Sequence, residues 1–387
     1  MTMFANRTRV DRSPKRANET SFGFLDRTGS TFFDPVRDLL ETWVGRVPAE
    51  HRSGIVGNLT GGDDTFESAL WELYLYVVET GSGHQVEIHP DVPGTSKHPD
   101  FLVHGPAPYY LEAVAVGRPP RHVAADRRLR ELEMILDQVR VDGVTLSFEH
   151  HQVGTRPVRA TRLRDQLLRW IGSLDLVGLA AQAEAVGRTP RPTLRFEDDG
   201  WLLSFEALPT KSSVSGGSPL IGIRGSGRAK GVDNKTGLRR ALDSKANKYG
   251  TKLPFPLVTA VLSNTEFPTR DYDVSAVVHG VSALPPASVV DPAELHTDGH
   301  WRTKNGWRRS HNPNVIVAAD LNLYTLATRT PTLWATLDPA ATVVGDISWA
   351  DPVNVGIQDP QPTGRAPALD ALGIDATWCF GPPDFDD

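Results

Sequence analysis

Cysteine is almost missing from this chain. Cys379 is the only one in 387 residues, so neither an internal disulfide nor a cysteine-rich zinc site can form. Long apolar runs are missing too: nothing approaches the roughly 18 consecutive apolar residues of a membrane span. The amino terminus, MTMFANRTRVDRSPKRANETS, carries five basic residues and no apolar core of the kind a secretory signal needs. The expectation is a protein of the reducing cytoplasm with no membrane partner. Other absences exclude whole chemistries. The 12 histidines form no HExxH or comparable metal spacing, and no GxSxG elbow marks a serine nucleophile. The glycine-rich run Arg224 to Gly231 is neither a Walker loop nor a dinucleotide fingerprint.

What remains is globular in composition, with 39% hydrophobic and 23% charged residues, enough for a sizeable core. The length exceeds the usual domain size of roughly 100–200 residues, which predicts two domains or one elaborated domain. The net charge of −6 hides a division. Residues 220–252 hold nine Lys or Arg against Asp233 and Asp243, a balance of +7, while residues 338–387 hold nine Asp and one Arg, a balance of −8. A basic surface beside an acidic tail suits phosphate binding, which is driven by counterion release from basic patches. Solvation of a helix and a tail would give the same numbers.

The most informative stretch runs from Thr65 to Val116. Phe66, Ala69, Leu70, Leu73, Val77 and Val78 recur at the spacing of one buried helical face, ended by Gly81 and Gly83. With Asp64 as N-cap, Glu67 completes a capping box, which leaves Glu72 as the helix carboxylate without a local task. Three short strands follow, His84 to His89, Phe101 to Val103 and Leu111 to Val116. Gly105-Pro106-Ala107-Pro108 is a turn by composition. If its midpoint lies between Pro106 and Ala107, facing residues sum to about 213, which sets Asp100 within one register step of Glu112. Cross-strand neighbours at such a position have Cβ atoms about 5 Å apart, the right separation for two carboxylates to share a divalent ion. Asp91, in the similar His89-Pro90-Asp91, is the alternative to Asp100.

Glu72, Pro99-Asp100 and Glu112-Ala113-Val114 resemble the PD-(D/E)XK nuclease superfamily. That resemblance implies an α/β, restriction-endonuclease-like αβββαβ core, Mg2+ or Mn2+ held by Asp100 and Glu112, and Glu72 orienting the attacking water. The family's lysine, two residues after the Glu, is Val114 here. The second half of the core is expected in Thr236 to Ser263: a basic helix ending in Lys245-x-x-Lys248-Tyr249, resembling a KxxKY string, then the apolar strand Leu257 to Leu262. On that basis Lys245 or Lys248 is the expected stand-in for the missing lysine, with Lys97 a weaker substitute. Ala124 to Phe148 competes for the same helix and strand.

The expected organisation is a flexible basic tail (1–25), a nuclease-like domain (26–340; core 64–116 and 236–263, large insertion 117–235) and an acidic, Pro-rich C-terminal extension (341–387). DNA is the expected partner. Its contacts are expected at Arg224, Arg228 and Lys230 in the glycine-rich run, Arg239 and Arg240 on the basic helix, and Arg302, Lys304, Arg308 and Arg309 in WRTKNGWRR. That last segment reads equally as a hairpin around Asn305-Gly306 with two packed tryptophans. The expected function is metal-dependent DNA phosphodiester hydrolysis, with a non-catalytic nucleic-acid-binding or protein-interaction member of the same fold as the alternative.

Overall fold

The computed structural model of the chain describes residues 2–16, 19–116, 128–129, 131–132, 135–136, 139, 141, 143–179, 181, 191–209, 221–226, 234–246, 248–249, 253–265, 269–280, 299–303, 306–308, 312–345, 347–353, 364–375, 378 and 383–385. It divides into two compact units, one from residues 1–118 and 232–387 and the other from 119–231. In chain order the elements are α1 (Ser21–Arg27), α2 (Asp34–Arg46), α3 (Ala49–Leu59), α4 (Asp63–Gly81), β1 (Gln85–Ile88), β2 (Phe101–His104) and β3 (Tyr109–Val116). Next come β4 (Val144–Gln152), α5 (Ala160–Gly172), β5 (Thr193–Asp198), β6 (Trp201–Pro209) and β7 (Ile221–Ser226). The chain then continues through α6 (Asn234–Ala246), β8 (Leu257–Ser263), α7 (Asp271–Val278), β9 (Arg302–Thr303), β10 (Gly306–Trp307), β11 (Asn314–Ala319), β12 (Thr332–Ala335), β13 (Asp351–Pro352) and α8 (Arg365–Leu372).

The larger unit is a mixed α/β structure on a seven-stranded sheet, order β1-β2-β3-β8-β11-β12-β13. The first three strands are antiparallel neighbours, and β8 then joins β3 in parallel, with Glu112 beside Thr259. Both faces are covered. Leu111, Ala113, Val258, Ala260 and Ile316 pack in one core with Leu70, Trp71 and Tyr74 of α4. Val116, Val261, Val315 and Val317 pack on the other side with Leu238 and Leu242 of α6 and Val274 and Val277 of α7. This explains why β8, LVTAVLS, is a continuous apolar run buried at all seven positions: a strand between two helical layers has no solvent side. The strand beside β3 is therefore β8. The competing Val144 to Phe148 lies in the other unit, in a four-stranded sheet of order β5-β6-β4-β7. That sheet packs Phe148, Phe196, Leu203 and Phe205 against Leu163, Leu167 and Ile171 of α5.

Three expectations are corrected. Helix α4 starts at Asp63 with Gly62 at the cap position, so Asp64 lies inside the helix and is not its N-cap. The Asp63 carboxylate is held elsewhere, by Lys15 at 2.8 Å and the Ser21 N–H at 2.6 Å. Among the described residues the first 25 are not a free tail, because Phe4 is buried and stacked on Phe22 while Asp26 pairs with both Arg7 and Arg9. Nor is the acidic segment a free tail. Trp349, Ala368, Ala371 and Leu372 belong to the main core, and the Trp43 indole and the Arg46 guanidinium donate to the Leu372 and Ala371 carbonyls. Its acids take part as well: Asp384 accepts from the Ser30 hydroxyl at 2.5 Å and Asp351 from the Gly364 N–H at 2.7 Å. Tyr272 to Gly280, open between helix and strand in the sequence, is the helix α7 followed by a turn.

Two consequences are testable. A Cβ at Gly81 would fall on the Ala371 carbonyl, backbone that has no room to retreat. Gly81→Ala is expected to destabilise the fold by about 2 kcal/mol or more, read by urea denaturation. His279, buried against the rings of Trp301 and Trp334, has no hydrogen-bond partner at either ring nitrogen, and burial pushes its pKa down to about 4. The unfolded histidine takes up its proton near pH 6.5, so stability is complete above that value and falls as the pH drops towards about 4, by up to about 3 kcal/mol. Denaturation of wild type and His279→Phe at pH 7, 6, 5 and 4 is expected to show that part of the slope in wild type alone.

Candidate functional site

The hairpin geometry sets two carboxylates side by side. Phe101 faces Leu111 and Leu102 faces Tyr110, a constant sum of 212, so the ladder continued by one residue brings Asp100 opposite Glu112. The parity of the strands then fixes their face. Leu111 and Ala113 enter the core under α4, so Glu112 must point to the other side, towards α6. Leu102 and Tyr110, of the same parity as Asp100 and Glu112, pack with Tyr249 on that same side. The Asp100 side chain also folds back on the strand, accepting the Ala113 N–H at 2.7 Å.

Glu112 is fully buried yet not isolated. Lys245, in the last turn of α6, donates to its Oε1 at 2.5 Å, and Lys248, in the turn after the helix, donates to the same oxygen at 2.7 Å. The Tyr249 hydroxyl donates to Oε2 and also lies 3.0 Å from the His98 carbonyl oxygen. Lys245 lies in the last turn of the helix, and Lys248 and Tyr249 follow in the turn beyond it, so the end of α6 and its turn meet the sheet at one carboxylate. The turn is fixed by a small core of Val92, Leu102, Tyr110, Tyr249, Leu253 and Leu257. The sequence reading missed Tyr249 as a site residue, although the Lys245-to-Tyr249 spacing carried the signal.

Glu72 belongs to α4, on the opposite side of the sheet, yet its carboxyl senses the same charges. Burial raises its pKa to about 7, with Asp100 and Glu112 adding to the rise and Lys245 opposing it. Asp100 is also raised, first by burial and then by Glu112, against the pull of Lys245, the Ala113 N–H and Lys248. Two ammonium groups therefore lie among three carboxyl groups, two of which are raised. Burial of Tyr249 and its contact with Glu112 raise the phenol far above its usual range, so it serves as a donor only. Val114, at the position of the missing lysine, shares the face of Glu112 and packs at the edge of the α6 core.

The other expected residues lie elsewhere or apart. The Asp91 side chain is 98% exposed and Lys97 is exposed, so neither belongs to the cluster. Arg240 is exposed on α6. Arg239 acts on Asp243, which also holds Arg308 at 3.4 Å and the buried His300 at 3.3 Å. Within WRTKNGWRR, Arg302–Thr303 pairs antiparallel with Gly306–Trp307; Trp301 is buried and Arg302 lies over the Trp307 ring, so Trp301 is not free to stack on a base. Arg228, Lys230, Lys304, Arg309 and the side chain of Arg224 lie outside the described residues. Among the described residues no group of three or more His, Cys, Asp or Glu side chains is arranged to hold a metal ion. Lysine ammoniums and a phenol occupy both oxygens of Glu112.

The charge balance gives a direct prediction. The Glu72 carboxyl, followed by side-chain carbon NMR, is expected to titrate near pH 7; Asp100→Asn should move it down and Lys245→Met should move it up. A Glu72 transition that neither substitution moves would rule out electrical contact with the cluster. Comparison of the chain with protein-family models, with curated proteins and with solved structures gives no match.

Proposed function

We propose that this protein is a metal-dependent DNA endonuclease with a restriction-endonuclease-like core. The observation that supports the reading is the convergence of Lys245 and Lys248, from one helix segment, on Glu112 beside Asp100, so that two cations and two acids meet at the edge of β2 and β3. The order of elements agrees with it, since α4, β1, β2, β3, α6 and β8 follow the helix, three strands, helix and strand of that core, with 119–231 between β3 and α6 as a separate unit. The position vacated by Val114 is compensated from α6, whose lysines approach the same carboxylate from the helix side.

The donors suit a hard divalent ion. Mg2+ binds through one or two carboxylates and keeps several waters, so Asp100 and Glu112 suffice, and the raised pKa values of Asp100 and Glu72 mark a surplus of buried negative charge that a cation relieves. When bound, the ion supplies positive charge to the phosphate and acidifies water. The chain's own groups would do the rest. Lys245 and Lys248 would hold phosphoryl oxygens, and Glu72, with a pKa near neutrality, would accept a proton from the attacking water.

A second reading is favoured by one observation, the engagement of both Glu112 oxygens. It makes the cluster a structural clamp in a non-catalytic nucleic-acid-binding or protein-interaction protein. Incubating supercoiled plasmid with the protein and Mg2+ or Mn2+ separates the two. Cutting that falls about 100-fold or more in both Asp100→Asn and Glu112→Gln supports hydrolysis. Salt-sensitive gel retardation with no cutting by wild type supports the clamp in a nucleic-acid binder, and neither result leaves the protein-interaction form.

A further inference from the structure

Away from the Glu112 cluster, the first helices carry a pocket that is filled by a distant piece of the same chain. The Asp384 carboxylate accepts the Ser30 hydroxyl at 2.5 Å, the Thr31 hydroxyl at 3.2 Å and the Phe32 N–H at 3.4 Å, and the Arg12 guanidinium lies 3.7 Å away. Ser30 is wholly buried, so its hydroxyl is a donor held in place by packing. The next side chain, Phe385, sets its ring 6.2 Å from those of Phe24 and Phe33, both buried. An acid and an aromatic side chain in succession are thus met by two parts of one pocket, hydroxyls for the first and rings for the second.

Two features make this contact transferable. Among the described residues no backbone–backbone hydrogen bond joins 383–385 to the rest of the chain, so the segment is held by its side chains. The Asp384 side chain is also 40% exposed, so water can take over from its donors and the segment can leave without stranding a buried charge. Ser30 and Asp384 are 354 residues apart, and nothing local requires them to belong to the same copy. A second copy offers the same acid and ring in the same order. A reciprocal exchange keeps every contact and adds only the cost of association. Trp378 packs against the main core five residues before Pro383, and five residues reach at most about 17 Å, so the exchange brings the two pockets together near a two-fold axis.

We infer that Ser30, Thr31, Phe24 and Phe33 form a docking pocket for the Asp384–Phe385 segment of a second copy of this chain. The segment seated in its own pocket is the closed form of that reciprocal exchange. The inference is independent of the reading given to the Glu112 cluster.

Complementation between two full-length variants tests it. Asp384→Asn/Phe385→Ala keeps the pocket and removes its own occupant. Thr31→Asp, at an exposed position, sets a like charge beside Asp384 and frees a segment that is otherwise intact. Each variant and their equimolar mixture are followed by sedimentation velocity, with one partner carrying a fluorophore. Each alone is expected to be monomeric and the mixture to give a one-to-one dimer. That dimer should be about ten-fold or more tighter than wild-type self-association, because neither member has an occupant of its own to displace. An excess of the peptide GPPDFDD should dissolve it. A mixture that stays monomeric while both variants keep the wild-type circular dichroism spectrum overturns the inference, even where the peptide binds the first variant. Pairing that survives the addition of Thr31→Asp to the first variant shows a different interface and overturns it as well. If Thr31→Asp loses the wild-type spectrum, Arg12→Glu, at a side chain 47% exposed, replaces it in the same mixture with the same outcomes.

Discussion

The carboxylate of Glu112 is the constraint to which the rest of the larger unit answers. A buried acid in the middle of an apolar strand costs several kcal/mol unless its charge and lone pairs are met. Here they are met by side chains 133 to 137 residues further along the chain: Lys245, Lys248 and Tyr249. The contact pins the end of α6 to β3 and, with it, the register of β8, which lies beside β3 over Tyr110 to Val116. A separate compact unit stands between these elements in the chain, and the hydrogen bonds at Glu112 close that long excursion at a specific place.

Cost and function are linked in this arrangement. A metal-free cluster that was fully satisfied would be inert, and a cluster with no cations would repel itself apart. The observed state lies between the two: Glu112 is satisfied, while Asp100 and Glu72 are half-buried acids with raised pKa values. Burial and the neighbouring carboxylates disfavour the charged form of both groups. Glu79 is also fully buried, and it is met by the His84 imidazole at 2.7 Å and the Tyr109 hydroxyl at 2.5 Å.

Much of this could be read from the residues. The hairpin sum of about 213 is one away from the observed 212, because a Pro-Gly turn between two apolar runs leaves few registers. The helix from the Phe66 stripe and the apolar strand at Leu257 were legible because periodicity and burial on two faces are local properties. Capping was misread, since Asp63 and Asp64 offer the same chemistry and only the packing of Lys15 and Ser21 selects the former's role. The ends were misread for a related reason. Composition reports the many charged residues of a segment, and its few anchors, Phe4 or Leu372, decide where it lies.

The sequence by itself determined which residues were available for chemistry and on which kind of element each would stand: an acid on a helix, one before a strand, one within a strand, and lysines at the end of a basic helix. Side-chain period and apolar spacing fix those assignments one segment at a time. Only the tertiary structure decided that Lys245, Lys248 and Tyr249 meet Glu112 and that Asp91 and Lys97 do not. Such meetings depend on strand order, on the face each residue occupies and on the removal of water, and none of these is a property of a short stretch of chain. Burial likewise raised the Glu72 and Asp100 pKa values, because the charge of a carboxylate is set by what surrounds it in space.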